Sequence, residues 1–152
     1  MQKITPNLWF KGNAKEAVDY YISVFPESMI MSTEYYPKSE AEGLADFQKN
    51  LAGEILTIEF ELEGMQLTAI NAGPECKFTE AVSFAVTCTD QEEIDYYWGK
   101  LSADPKFEQC GWCKDRFGLS WQIVPENIEE LMSKPKAFAK LMKMKKLEIA
   151  KF

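Results

Sequence analysis

An internal repeat constrains the fold of this chain more than any other feature. Lys15-Glu16-Ala17-Val18-Asp19-Tyr20-Tyr21 returns as Glu92-Glu93-Ile94-Asp95-Tyr96-Tyr97, a shift of 76 positions. The first copy lies in a stretch that places Ala17, Val18, Tyr21, Ile22 and Phe25 at helical spacing, an amphipathic helix over 14–25. Each copy follows a short strand and a polar turn, and each is followed by further strands. The expected architecture is therefore a tandem βαβββ repeat.

The first round begins with a strand over 4–10, which Pro6 restricts to an edge or a strand start. Lys11-Gly12-Asn13 is a turn with Asn13 as helix cap, and Pro26 ends the helix. A β-rich stretch covers 29–36, and residues 37–53 read as a long, mobile polar loop with one helical turn. Residues 54–62 alternate strictly, with Leu56, Ile58, Phe60 and Leu62 on one face and Thr57, Glu59 and Glu61 on the other. Glu63-Gly64 is a hairpin signal, and 65–71 is the return strand.

The second round gives a strand over 81–88 and a helix capped by Thr89 or Asp90 that runs to about 101. Residues 107–114 are strand or loop, 115–118 a turn, and 119–124 a strand stopped by Pro125. Asn127 then caps a short helix to Ser133, and Pro135 opens a final helix to about 148. The expected fold class is α+β: two modules over about 3–72 and 80–125 forming a curved, cup-like mixed sheet with flanking helices, plus a helical extension over 126–152. All of it is expected to form one domain, since 152 residues bury enough surface to need no metal or disulfide staple.

Composition closes off much chemistry. The chain has no histidine, which removes Ser-His-Asp and Cys-His nucleophile systems, histidine general bases and histidine-containing metal sites. Its net charge of −7 and single arginine, Arg116, argue against a nucleic-acid surface. Seven lysines against Glu148 give +6 from Lys134 onward and leave −13 on the remainder. That tail reads as a solvated helical face, or as a segment docked on the acidic body of its own or a partner chain. No apolar run approaches the ~18–20 residues of a membrane span, and no signal peptide is evident at the N-terminus. Cytoplasmic location is expected, with Cys76, Cys88, Cys110 and Cys113 as reduced thiols.

The duplicated unit resembles the vicinal oxygen chelate superfamily, which includes glyoxalase I, extradiol dioxygenases, fosfomycin-resistance enzymes and bleomycin-binding proteins. Three groups of segments are closer to its PhnB-like branch. The first runs from Ile4-Thr5-Pro6-Asn7-Leu8-Trp9-Phe10 through Ala17-Val18-Asp19-Tyr20-Tyr21 to Val24-Phe25-Pro26-Glu27-Ser28. The second is Tyr97-Trp98-Gly99-Lys100-Leu101, and the third the long stretch from Cys110 to Pro125. The resemblance covers about residues 3–125. It implies a cup whose mouth, in metal-dependent members, holds a divalent cation on His, Glu, His and Glu. Those positions fall here at Pro6, Gln66, Ala81 and Gln122, and a neutral amide is a weak ligand. No metal and no other cofactor is therefore expected. Homodimers are common in the superfamily, so a second copy is the partner the resemblance implies.

Sequences of the PhnB-like branch have been labelled demethylubiquinone methyltransferases, yet this chain has no Gly-rich strand–loop–helix element to hold a nucleoside cofactor. Strand parity taken from Gln122 puts Ser120 and Val124 in the cup, with Trp121 and Ile123 under helices. The same reasoning adds Pro6, Leu8 and Phe10; Gln66, Thr68 and Ile70; and Ala81, Ser83 and Ala85. The candidate pocket is thus Leu8, Phe10, Gln66, Thr68, Ser83, Ser120 and Gln122, suited to a neutral or aromatic small ligand. These side chains could equally fill the cup.

Cys110-Gly111-Trp112-Cys113 is a C-x-x-C, open to structural, oxidation-sensitive or metal readings. Asp115 is expected to organise the turn before Gly118, with Arg116 paired to an acidic neighbour. Glu59 and Glu61 are paired carboxylates or charges on an exposed strand face. Three functions follow: a non-metal module binding an unidentified small molecule, a divergent metal-dependent lyase or dioxygenase using Gln66, Gln122 and waters, or a dimeric scaffold with a filled cup.

Overall fold

The computed structural model describes all residues, 1–152, and divides the chain into two units, Met1–Lys77 and Phe78–Phe152. In the first unit β1 (Asn7–Phe10) leads through a turn into α1 (Ala14–Val24), followed by β2 (Ser28–Tyr35), β3 (Ile55–Leu62) and β4 (Met65–Asn71). The sheet order is β1-β4-β3-β2, with β1 parallel to β4 and the other pairs antiparallel. The alternation read from the sequence sets one face: Ile58, Phe60, Leu62, Leu67 and Ala69 are buried together, as are Ala17, Val18 and Tyr21 of α1. The β3–β4 hairpin turns at Glu63 (φ 47°) and Gly64 (φ 86°), two left-handed residues that match the twist of the strands.

Asn71 fixes the helix to this face. Its side-chain Oδ1 accepts the Ala14 N–H at 3.1 Å, and its Nδ2 donates to the Ile55 carbonyl at 2.9 Å. The expected cap, Asn13, makes no such bond, and its Oδ1 is buried without a partner. Asn13 has φ −115° and ψ 26°, outside the extended conformation from which a cap side chain reaches forward.

The loop over 37–53 contains two short 3₁₀ turns, Glu40–Glu42 and Asp46–Leu51. It is closed at its neck by Tyr36 N–H to Glu54 and Gly53 N–H to Pro37, at 2.8 and 3.1 Å, and anchored by buried Leu44.

The second unit holds β5 (Ser83–Cys88), α2 (Gln91–Leu101), β6 (Trp112–Lys114), β7 (Ser120–Pro125), α3 (Ile128–Met132) and α4 (Ala137–Met142). Its sheet order is β5-β7-β6, with β5 parallel to β7. Asp90, extended as a cap requires, accepts the Glu93 N–H at 2.9 Å. Both sheets are mixed and open.

The second module departs from the first where β2 would recur. The chain makes a 3₁₀ turn at Pro105–Phe107, then a single bridge between Gln109 and Trp112. Cys110 (φ 41°) and Gly111 (φ 90°) form the two-residue turn between them. The C-terminal segment occupies the outer side of this turn. Cys110 and Gly111 donate their N–H groups to Met144 and Lys145 carbonyls at 2.7 and 2.8 Å, and Leu147 is buried. A Cβ on Gly111 would meet the Leu147 side chain at 3.2 Å, so glycine here serves both the turn and the close approach.

The final helix accordingly ends at Met142 rather than near 148, because the carbonyls that would continue it bond to the Cys110–Gly111 turn. The lysine-rich segment is therefore docked on its own unit. Lys146 pairs with Asp95 at 2.8 Å, and the Gln91 side chain bonds both the Leu147 carbonyl and the Ile149 N–H.

Candidate binding site

Strand pairing decides which side chains share a face. Leu8 lies opposite Ala69 and Phe10 opposite Asn71, so both belong to the buried face that carries α1. The expectation that Leu8 and Phe10 line a pocket with Gln66 and Thr68 fails for this reason. Trp9, paired with Ile70, takes their place on the open face, with Gln66, Thr68, Thr57, Glu59 and Glu61. Side chains alternate along β1, but their phase against β4 is the reverse of that expectation. Pro6 lies before β1 and contributes its carbonyl to the Thr68 N–H at 3.0 Å. Thr5, not Pro6, lines the recess of about 110 Å³ beside Gln66 and Thr68. The Gln66 backbone is held by Gln2, whose side-chain amide accepts its N–H and donates to its carbonyl.

In the second unit, strand register places Ser83, Ser120 and Gln122 on one face. Ser83 pairs with Ser120 and Ala85 with Gln122, while Trp121 and Ile123 point to the opposite, buried face. Gln122 Nε2 donates to Ser83 Oγ at 2.9 Å. Ser120 is buried with its hydroxyl unpartnered. Ala81 precedes β5 and is exposed.

One concavity of the first unit lies on the open face of its sheet. It is a cavity of about 670 Å³ between Trp9, Ile70 and Ala72 of the sheet side and Tyr36 and Phe47 of the loop. The polar ends of two of its aromatic side chains are already committed: Trp9 Nε1–H donates to the Gly73 carbonyl at 2.8 Å, and the Tyr36 hydroxyl to the Asn71 carbonyl at 2.7 Å. Burial raises the Tyr36 phenol above its usual range, and the charge of Glu75 adds to this, so it stays protonated. Phe47 is 88% exposed at the rim. Sequence reasoning passed over Trp9, Tyr36 and Phe47. The signal for Trp9 was available, since pairing Leu8 and Phe10 with the helix side forces Trp9 outward.

The donor set does not fit the superfamily's metal. Pro6 and Ala81 have no side-chain donor, Gln66 and Gln122 offer neutral amides, and Gln122 is bonded to Ser83. No three His, Cys, Asp or Glu side chains are grouped so that they could hold a metal ion. The C-x-x-C is a hairpin turn, and burial, with Asp115 and Glu108 nearby, pushes the Cys113 thiol up to about 12. A thiol in that state is a poor nucleophile and a poor metal ligand. Asp115 is structural: its carboxylate accepts the N–H groups of Phe117 and Leu119 and the Trp121 indole N–H, at 2.8, 3.1 and 2.9 Å. The Arg116 guanidinium lies 4.7 Å from the centre of the Phe117 ring.

Residues 2–124 match the sequence family described as 3-demethylubiquinone-9 3-methyltransferase. A PhnB protein from Bacillus cereus, described as a putative member of that family, is 32% identical. The match covers 82% of this chain and 99% of that one, with a TM-score of 0.63. Protein PA1353 from Pseudomonas aeruginosa is 20% identical over 83% of this chain and 98% of its own, with a TM-score of 0.58. The fosfomycin resistance protein FosX from Listeria monocytogenes is 13% identical over 86% and 97%, with a TM-score of 0.52. The last two likenesses concern the fold alone. No curated protein matches. No helix is long and apolar enough to cross a membrane.

Proposed function

This chain belongs to the PhnB-like 3-demethylubiquinone-9 3-methyltransferase family, within the vicinal oxygen chelate fold, and from that premise we propose that it binds a small aromatic molecule without a metal. The observation that carries the reading is the cavity over Trp9, Ile70 and Ala72. Its volume is in the range of small-molecule sites, and Trp9, Tyr36 and Phe47 line it, with the polar ends of Trp9 and Tyr36 bonded to backbone carbonyls. Planar, largely apolar ligands suit such walls.

Methyl transfer is not carried over from the family's description. The strand–Gly12–helix turn carries a single glycine, and the first N–H of its helix, that of Ala14, is taken by Asn71. A second copy of the chain is proposed as partner. The edge strand β2 supports it, exposing Met29, Met31 and Tyr35.

The test is calorimetric titration of 2-naphthol into the wild type and into Ala72→Phe, which puts a ring into the cavity. Saturable binding weakened about tenfold or more in the variant is the expected result. Equal affinity of the two proteins overturns the assignment.

A further inference from the structure

We infer that the cavity selects a positively charged ligand: a protonated or quaternary aromatic amine, with its ring against Trp9, Tyr36 and Phe47 and its charge at Glu75. The inference rests on the cavity being the ligand site.

Glu75 is the only charged side chain lining the cavity. Its carboxylate folds back over Gly73 so closely that a Cβ at that position would lie 2.5 Å from Oε2. The carbonyl of the same Gly73 receives the Trp9 indole N–H. The carboxylate and the indole thus meet at Gly73 on one short wall.

No salt bridge occupies Glu75, and the Tyr36 hydroxyl, committed to Asn71, does not donate to it. Lys49, flanked by the lining residues Gln48 and Asn50, turns its ammonium to Asp46 at 2.7 Å. The cavity is therefore lined by three aromatic side chains and one carboxylate without an ion-pair partner. The negative faces of aromatic rings attract cations, and the carboxylate adds a direct ion contact. An anion meets repulsion from the same groups, and a neutral ring gains only the apolar contact.

The experiment compares three probes of similar size by calorimetry: N-methylquinolinium, quinoline at pH 8, where it is neutral, and 2-naphthoate. N-Methylquinolinium is expected to bind at least about tenfold more tightly than quinoline, a difference of about 1.4 kcal/mol, with 2-naphthoate weakest. In Glu75→Gln the preference falls to within about twofold while quinoline affinity holds. Glu129→Gln, which removes one charge from the second unit, leaves the preference intact and so controls for net charge.

Equal binding of N-methylquinolinium and quinoline to the wild type, or a preference that survives Glu75→Gln, overturns the charge selection and leaves the aromatic site standing. No binding of any of the three overturns both.

Discussion

The indole Nε1–H of Trp9 donates to the carbonyl of Gly73 at 2.8 Å, tying the outward side chain of the first strand to the segment that leaves the fourth. This bond fixes the cavity wall that carries Glu75. Trp9→Phe keeps a ring but removes the donor. We expect a stability loss of about 1 kcal/mol in urea unfolding, with weaker 2-naphthol binding. Unchanged values for both would show that the bond holds nothing in place.

Asn71 and Asn13 are expected to respond oppositely. Asn71→Ala removes the buried acceptor of the Ala14 N–H and the part-buried donor to Ile55, at a cost of about 2–3 kcal/mol. Asn13→Ala removes a buried oxygen that has no partner, so stability should change by less than about 0.5 kcal/mol or rise. Denaturant midpoints of the two variants check the assignment, and a larger loss for Asn13→Ala would restore it as the cap.

Packing rather than charge holds the C-terminal segment. Leu147 is 1% exposed against Gly111, and Leu147→Ala should cost about 2–5 kcal/mol. The Lys146–Asp95 pair is surface-exposed, so Lys146→Ala should cost less than about 1 kcal/mol. Thermal unfolding of the two variants distinguishes them. Similar losses would mean that the lysine-rich tail is held by its charge.

Burial pushes the thiols of both Cys88 and Cys113 up to about 12, with nearby carboxylates adding to the effect. The folded state then retains protons that the unfolded chain releases near pH 9, so these thiols contribute stability below that pH. The contribution is lost as pH rises towards 12, with a slope of up to about 1.4 kcal/mol per pH unit for each thiol. Urea midpoints measured from pH 8 to 11 should fall less steeply in Cys88→Ala/Cys113→Ala, whose absolute stability is lower. Parallel curves would count against the buried thiols. In the native protein at pH 8, a thiol reagent should reach exposed Cys76 and spare Cys88 and Cys113.

The architecture was legible because its signals are periodic. The Asp-Tyr-Tyr repeat marked both long helices, and the alternation over 55–71 with Glu63-Gly64 gave the β3–β4 hairpin. The second module lost its β2 counterpart because Cys110-Gly111 turns tightly there and the C-terminal segment caps the turn, a long-range contact with no local signature. The site was half legible. Gln66 and Thr68 share a face, as do Ser83, Ser120 and Gln122, since each set is fixed by parity within paired strands. Leu8 and Phe10 went astray because parity alone does not give the phase between β1 and β4. Phe47 and Tyr36 reach the cavity from a long loop and its approach, where no periodicity exists to read.

The most direct test of the account is an assigned ¹H–¹⁵N NMR titration with 2-naphthol, following the four tryptophan indole resonances and the backbone amides. The Trp9 indole N–H and the amides of Ile70 and Ala72 should move saturably with one common affinity, while Ser83, Ser120 and Gln122 stay still. Unmoved Trp9, Ile70 and Ala72 resonances, with shifts confined to other residues such as Ser83, Ser120 and Gln122, would contradict the cavity assignment.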